Sequence, residues 1–290
     1  MTDAVAVRVS ATVANLGPGF DCLGLALDRH NEIIVERAPA LLISAEGPGA
    51  QAVPTDGSNL VAQAIASVTG EVPFVRIHQR IAIPFGRGLG SSAAAIIGGL
   101  VAGRVLCDIA LSDQDLLRFA VAIEGHADNV APCLFGGVTA TAGLQTVRID
   151  PPAGLRVLMC VASEAMSTEA ARAALSPRVS RADAVAGLAH TGVLVAALAT
   201  GSTDVLLAAT EDVLHQPSRF ELMPATAAVV RALRDRGIAA FLSGAGPSVA
   251  AFVEEAAADA AAEFARSIVQ PGWDVRVARI DPSGARAEVR

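Results

Sequence analysis

Pro84-Phe85-Gly86-Arg87-Gly88-Leu89-Gly90-Ser91-Ser92-Ala93-Ala94 decides how this chain is read. Three glycines on a loop deliver two hydroxyls to the start of an apolar segment that runs to about Leu106. Backbone N–H groups at a helix N-terminus have no intrahelical partners and carry the positive end of the macrodipole, so such a start accepts phosphate. Read without its neighbours, the same stretch is equally a helix capped by Ser91-Ser92 and buried in a core. Its meaning has to come from the rest of the chain.

All 22 basic residues are arginine. A Walker-A loop, a protein kinase and Schiff-base chemistry each require a lysine, so those classes are excluded. If phosphate is held here, backbone amides, serine, arginine and a metal must hold it. The 290 residues suffice for two modest domains, and 52% hydrophobic content with a positive mean hydropathy supports substantial cores. With 3% aromatics, no tyrosine and a net charge of -7, the chain has neither the stacking platforms nor the basic face that nucleic acid requires. Its anions should be small ones, bound at local positive sites.

Cys22, Cys107, Cys133 and Cys160 are too scattered for zinc and are expected as core residues in a reducing, cytoplasmic compartment. The start, Met1-Thr2-Asp3, shows no export signal. The charge-free run Ala184 to Thr203 is broken by Gly, His, Thr and Ser, and is expected as a buried helix rather than a membrane span.

Strands are expected over Ala4–Ser10, Ile33–Glu36 and Phe74–Ile77, with helices from Ser58-Asn59 to Val68, from Ser91 to Leu106, and from Ser112 to Glu124. Ser112 with Asp115 forms a capping-box pattern. Asp150-Pro151-Pro152 can continue neither kind of ladder and divides the chain into 1–150 and 151–290. After a strand at 156–161 the second part is mostly helical: 168–175, 180–200, 203–214, 224–236 and 254–268. Ile238–Leu242 and Val249–Val253 are strands around Ser243-Gly244-Ala245-Gly246-Pro247-Ser248, which by itself reads as a tight strand-to-helix turn; a last strand follows at 274–280.

Three ordered motifs carry a resemblance: Ala11-Thr12-Val13-Ala14-Asn15-Leu16-Gly17-Pro18-Gly19-Phe20-Asp21, the stretch Pro84 to Ala94, and Leu242 to Ser248. Together they resemble the GHMP small-molecule kinases. The first motif with Cys22 to Leu27, and the block Glu124 to Pro132 leading to Gly136-Gly137, are similar to the homoserine kinases of that superfamily. Ser10, Val13 and Ser176-Pro177 depart from the expected pattern without touching ligand groups.

The resemblance implies an α+β fold of two GHMP domains. The N-terminal one binds ATP and carries a left-handed βαβ-type phosphate-loop unit; the C-terminal one is ferredoxin-like. It implies transfer of the γ-phosphate of ATP to the hydroxyl of L-homoserine, within threonine biosynthesis. ATP would lie along Pro84, Phe85, Gly86, Arg87, Gly88, Leu89, Gly90, Ser91, Ser92, Ala93 and Ala94, with Gly244 and Gly246 completing the cleft and Asn59 near the adenine. Ser92 and Glu124 would hold Mg²⁺, and the placement of Glu124 against a helix dipole agrees with a nearby cation.

Homoserine is a zwitterion with a hydroxyl, so its pocket needs both signs of charge. The resemblance assigns the ammonium to Asn15 and Asp21, the carboxylate to Arg172 and Arg219, and a further hydroxyl to Thr168. Asp128, Asn129 and Arg219 are the expected catalytic set. Without lysine no Asp–Lys pair can deprotonate the hydroxyl, and Asn129 is expected to orient it. His126 is expected to bond to backbone, and His215 to be structural. The expected partners are L-homoserine and ATP, with room for a homodimer and with neither nucleic acid nor membrane. A mevalonate-type or sugar kinase, or a non-catalytic module that kept the fold, are the alternatives.

Overall fold

The computed structural model describes residues 3–71 and 74–290; Met1 and Thr2, read above at the N-terminus, and Val72-Pro73 lie outside them. The first half contains β1 (Ala4–Ala14), β2 (Leu23–Arg37), β3 (Leu42–Glu46), α1 (Leu60–Thr69), β4 (Val75–Arg80), α2 (Ser91–Leu106), α3 (Asp113–Glu124), α4 (Ala127–Phe135), β5 (Val138–Ala142) and β6 (Gln145–Ile149). The second contains β7 (Leu155–Val161), α5 (Thr168–Ala173), α6 (Arg181–Thr200), α7 (Leu206–Ala209), α8 (Gln216–Leu222), α9 (Pro224–Asp235), β8 (Ala239–Leu242), β9 (Val249–Glu254), α10 (Ala258–Ile268), β10 (Asp274–Ala278) and β11 (Arg286–Val289).

β1 and β2 form the spine of the first sheet because both are long apolar strands in antiparallel register, Val5 opposite Val35 and Val13 opposite Leu25. β4 and β5 share the other edge of β2, and β11 closes the edge of β1. β3 and β4 are parallel, joined through α1, as a βαβ crossover requires. α2, whose Ala, Ile and Gly residues are buried on nearly all sides, packs against β1, α1 and α3.

The second sheet has the order β10-β7-β9-β8, all antiparallel, which is the ferredoxin-like arrangement expected from the resemblance. One face, with Leu158, Cys160 and Ala251, is covered by α9 and α10. The other, with Val157, Met159 and Phe241, joins the core of the first half, so a single apolar cluster spans both. The division expected at 150/151 falls between β6 and β7, but the last residues run back, and β11 pairs with β1.

Several local expectations are corrected. Ser243–Ser248 connects β8 to β9 and is therefore a strand-to-strand turn, with a cis bond at Gly246-Pro247. The helix expected over 203–214 stops at Ala209, and α8 follows where no helix was read. Cys107 is exposed, unlike the buried Cys133 and Cys160. α6 is long and apolar enough to meet a membrane-span test by length and composition, yet it is not the buried helix expected. Gly187, Leu194, Ala197 and Leu198 are buried, while Val185, Leu188 and Val193 face outward.

Candidate active site

The start of α2 departs from the serine-capped helix that a local reading allows. Gly90 occupies the cap position in the left-handed conformation, φ 67°, and no side chain bonds the first turn. Ser91 and Ser92 therefore lie inside the helix instead of capping it. Gly88 and Gly90 are required by what surrounds them. A Cβ on Gly90 would lie 1.8 Å from Thr12 Oγ1, and one on Gly88 would lie 2.1 Å from the Ser243 carbonyl oxygen. Ser243 Oγ also donates to the Gly88 carbonyl at 2.6 Å, tying the two glycine loops together.

A cavity of about 360 Å³ opens over this helix start. Of the expected ATP-binding residues, Pro84 to Ser92, Gly244 and Gly246 line it. Ala93 and Ala94 are fully buried in the core instead. Asn59 is not on its wall either: the side-chain oxygen accepts from the Val61 and Ala62 amides, and the side-chain nitrogen donates to the Pro54 carbonyl. It is the N-cap of α1, and its neighbour Leu60 lines the cavity. Ser91 Oγ is buried without any hydrogen-bond partner, an arrangement that costs roughly 1–3 kcal/mol unless a ligand completes it.

Glu124 ends α3 and meets Ser92 at the start of α2, with Ser92 Oγ donating to Glu124 Oε1 at 2.6 Å. Burial, the leading influence, pushes the Glu124 carboxyl above its ordinary pKa against the opposing effects of Ser92 and His126. Beyond it, the first turn of α4 carries Asp128 and Asn129. His126 Nδ1 pairs with Asp128 Oδ1 at 2.5 Å, so this histidine binds a carboxylate rather than the backbone partner that was expected. Burial opposes protonation of His126, but the bond to Asp128 and the charges of Asp128 and Glu124 carry its pKa upward. Thr12 Oγ1 donates to Asn129 Oδ1 at 2.6 Å, which turns the amide so that Nδ2 remains as a donor. Thr12 was missed as a site residue: it stands in the first motif, but nothing there shows that its hydroxyl meets Asn129.

The loop after β1 holds Asn15, Leu16 and Asp21 at positive φ, 68°, 52° and 59°. Such conformations cost roughly 1–2 kcal/mol each and persist where surroundings hold them. Asn15 provides part of that hold, since its oxygen accepts from the Asp21 amide and its nitrogen donates to the Gly244 carbonyl. Asn15 lines the cavity as a brace between two loops. Thr191 Oγ1 donates to the Pro18 carbonyl, and the neutral His215 ring donates from Nε2 to the Gly17 carbonyl at 2.8 Å. Burial keeps the His215 pKa below its ordinary value.

Asp21 and Arg172 face each other in a two-pronged pair, at 2.6 and 2.9 Å. Both are more than one-third exposed, so the pair contributes at most about 1 kcal/mol. Arg219 on α8 is different: it is 2% exposed and has no carboxylate partner among the described residues. Nε donates to the Ala171 carbonyl, and Nη1 to the Gly244 carbonyl and to His215 Nδ1, while Nη2 is uncommitted. Burial, then the neighbouring Arg172 charge, lowers its pKa. Phe20 supports both cations, with its ring centre 5.6 Å from the Arg172 guanidinium and 5.2 Å from that of Arg219, and it stacks on His215. The roles of Phe20 and His215 were illegible without the fold. Thr168 lies at the start of α5, exposed on the cavity wall four residues from Arg172.

The arrangement offers an anion cradle, a hydroxyl–carboxylate pair beside it, and a pocket with both signs of charge. Residues 59–137 match the pattern of the GHMP kinases N terminal domain, and residues 184–269 that of the GHMP kinases C terminal domain. The chain is 41% identical to the homoserine kinase of Streptomyces avermitilis, over 97% of this chain and 95% of that protein. It is 39% identical to the homoserine kinase of Nostoc punctiforme, over 99% of each. The crystal structure of homoserine kinase from Cytophaga hutchinsonii superposes with a TM-score of 0.88 at 30% identity, covering 99% of this chain and 98% of the other. Mevalonate diphosphate decarboxylase from Enterococcus faecalis has a TM-score of 0.70 at 16% identity, over 100% of each chain, and shares the fold alone.

Proposed function

From a chain that belongs to the GHMP kinase family, and within it to the homoserine kinases, we infer how each part of the cleft serves the reaction. That reaction is the phosphorylation of the L-homoserine hydroxyl by ATP, giving O-phospho-L-homoserine and ADP in threonine biosynthesis. The phosphates of ATP lie over the first turn of α2, where the amides carry no side-chain cap and the buried Ser91 hydroxyl lacks a partner.

Mg²⁺ fits the donor set beside them. Ser92 and Glu124 supply hard oxygens that already adjoin, and a divalent ion relieves the burial that raises the Glu124 pKa. When bound, the ion neutralises charge on the phosphate oxygens. Ser92 and Glu124 would hold the ion, since Mg²⁺ takes few protein ligands and keeps several waters.

The observation that carries the substrate assignment is the Asp21–Arg172 pair next to Arg219, whose Nη2 has no hydrogen-bond partner among the described residues. A zwitterion inserts into such a pair: its ammonium takes Asp21, and its carboxylate takes Arg172 and the free Nη2 of Arg219. Each charge exchanged is replaced, so opening the pair costs little. Mevalonate would leave Asp21 unmatched, and a sugar would leave all three groups unmatched.

Asn129 Nδ2, aimed by Thr12, orients the acceptor hydroxyl. The hydroxyl oxygen bonds to the γ-phosphorus as the bridge to the β-phosphate breaks, and the hydroxyl proton passes to the transferred phosphoryl group. Asp128, held by His126, stands beside this centre, and the remaining catalysis is positioning and charge stabilisation. We place the enzyme in the cytoplasm, a reducing compartment suited to its four free cysteines. A homodimer belongs to the same reading, because α6 presents Val185, Leu188 and Val193 to solvent; sedimentation should give roughly twice the 29.4 kDa chain mass.

A substrate panel with ATP and Mg²⁺ tests the proposal. L-homoserine should turn over, with mevalonate and galactose at least roughly 100-fold slower in kcat/KM for want of one or both charge contacts. Turnover of either without turnover of homoserine would overturn it.

A further inference from the structure

On the opposite side of the first sheet from its helices, a row of charges crosses the strands in register: Arg286, Arg8, Glu32, Arg80 and Glu46. Glu32 accepts from Arg80 through one oxygen and from Arg290 through the other, and Arg80 also donates to Glu46. Signs therefore alternate along the row until its end, where Arg8 and Arg286 stand directly opposite each other. Like charges in that position destabilise a strand pair. Among the described residues neither has a carboxylate partner, although the chain as a whole carries seven more acids than bases.

Arg8 is nevertheless held in place. Its Nη2 donates to His30 Nδ1 at 2.8 Å, and His30 Nε2 donates to Asp281 Oδ2 at 2.6 Å. Asp281 is 7% exposed and also accepts from the fully buried Ser10 hydroxyl and from the Ser283 amide. A relay running from buried Ser10 and Asp281 through the half-buried His30 thus orients an exposed guanidinium. The other acid nearby, Asp28, is engaged by the side chain and amide of Arg279. Arg8, Arg279 and Arg286 border a cavity of about 520 Å³ in which every carboxylate is already paired.

We propose that this cavity binds a small phosphate-type dianion between Arg8 and Arg286, completing the alternation of charge across the sheet. The planar forks of two arginines suit a tetrahedral oxyanion, and His30 keeps one fork from folding away. The site is separate from the ATP cleft, whose lining shares none of these residues.

Inorganic phosphate is the probe, with the cleft filled by a non-hydrolysable ATP analogue, Mg²⁺ and L-homoserine. Calorimetry should then detect one saturable phosphate site, weakened roughly 10-fold or more by Arg286→Gln and by Arg8→Gln, the loss of one charge-assisted contact, and retained in Arg286→Lys. With the cleft filled, Arg286→Gln should melt at a higher temperature than the parent chain in the absence of phosphate because repulsion is relieved, and added phosphate should raise its melting point less than the parent's. Phosphate uptake that vanishes when the cleft is filled, that survives both glutamine variants, or that never saturates would overturn the proposal.

Discussion

Two helix starts in the first half both carry serine, one at the cap position and one just inside the helix, and they are built in opposite ways. At α3, Ser112 lies in extended backbone, φ -76° and ψ 164°, and exchanges hydrogen bonds with Asp115 in a complete capping box. At α2, Gly90 takes the cap position in a left-handed conformation, and the two serines follow it inside the first turn. A capping side chain must reach back to the second or third amide from extended backbone. Glycine at positive φ has no side chain to do so, and it leaves the amides open. The closed start serves stability, and the open one leaves its first amides without a side-chain cap, at some cost in stability.

The comparison is broken most severely at Glu124, which ends the capped helix α3 beside the open start of α2. Glu124→Gln should lower kcat/KM by roughly 10²–10³-fold, the scale for losing one charge-stabilising group, in steady-state assays with ATP and Mg²⁺. The same variant should be at least as stable as the parent at neutral pH. Because the folded pKa of Glu124 is raised, the folded state binds the proton more tightly, and its contribution to stability falls as pH rises from the unfolded pKa through the folded one. Melting curves from pH 5 to 8 should show the parent's disadvantage against the glutamine variant growing with pH; a constant gap would refute the burial argument.

Arg219→Gln comes next. It removes a buried charge-assisted contact, so KM for homoserine should rise roughly 10²-fold while KM for ATP changes little. Asp21→Asn and Arg172→Gln should each raise the homoserine KM roughly 10-fold, and the double variant should cost less than the product, since each partner alone is left with an unmatched charge. Strict multiplication of the two effects would mean that the pair does not act as a unit. The smallest effect belongs to the closed helix start: Ser112→Ala should cost roughly 1 kcal/mol in denaturant unfolding and leave kcat and both KM values unchanged. Ser91→Ala sharpens the contrast, because deleting a buried hydroxyl without a partner should not destabilise the chain while KM for ATP rises a few-fold.

Much of this was legible before the fold was known, and the failures share a cause. Pro84 to Ser92, Asp21 and Glu124 were named from motifs and Arg172 and Arg219 from the family resemblance, and the structure gathers them on one cavity wall. Asn59, expected near the adenine, is the N-cap of α1 and has no place on that wall. The Ser91-Ser92 reading failed because a cap depends on one dihedral, and a glycine leaves that dihedral undecided. α6 was read as buried because its composition is apolar, but burial is settled by what packs against a helix. Thr12 and Phe20 stand in the first motif, but what they do depends on partners far along the chain, Asn129 for Thr12 and Arg219 for Phe20, as His215 depends on Gly17, and local sequence does not show those partners.

By itself, then, the sequence determined the chemistry that is available: glycines that open a helix start, serines behind them, no lysine anywhere, and four motifs in an order that identifies a kinase family. Only the tertiary structure decided how charges are matched. Asp21 meets Arg172 across 151 positions of chain, and Arg219, deeply buried, meets no carboxylate among the described residues. Caps, turns and helix starts are interactions over three or four residues and can be read locally. The partner of a charge is whichever group the packing of two sheets brings within about 3 Å, the length of a hydrogen bond, and that distance belongs to the fold.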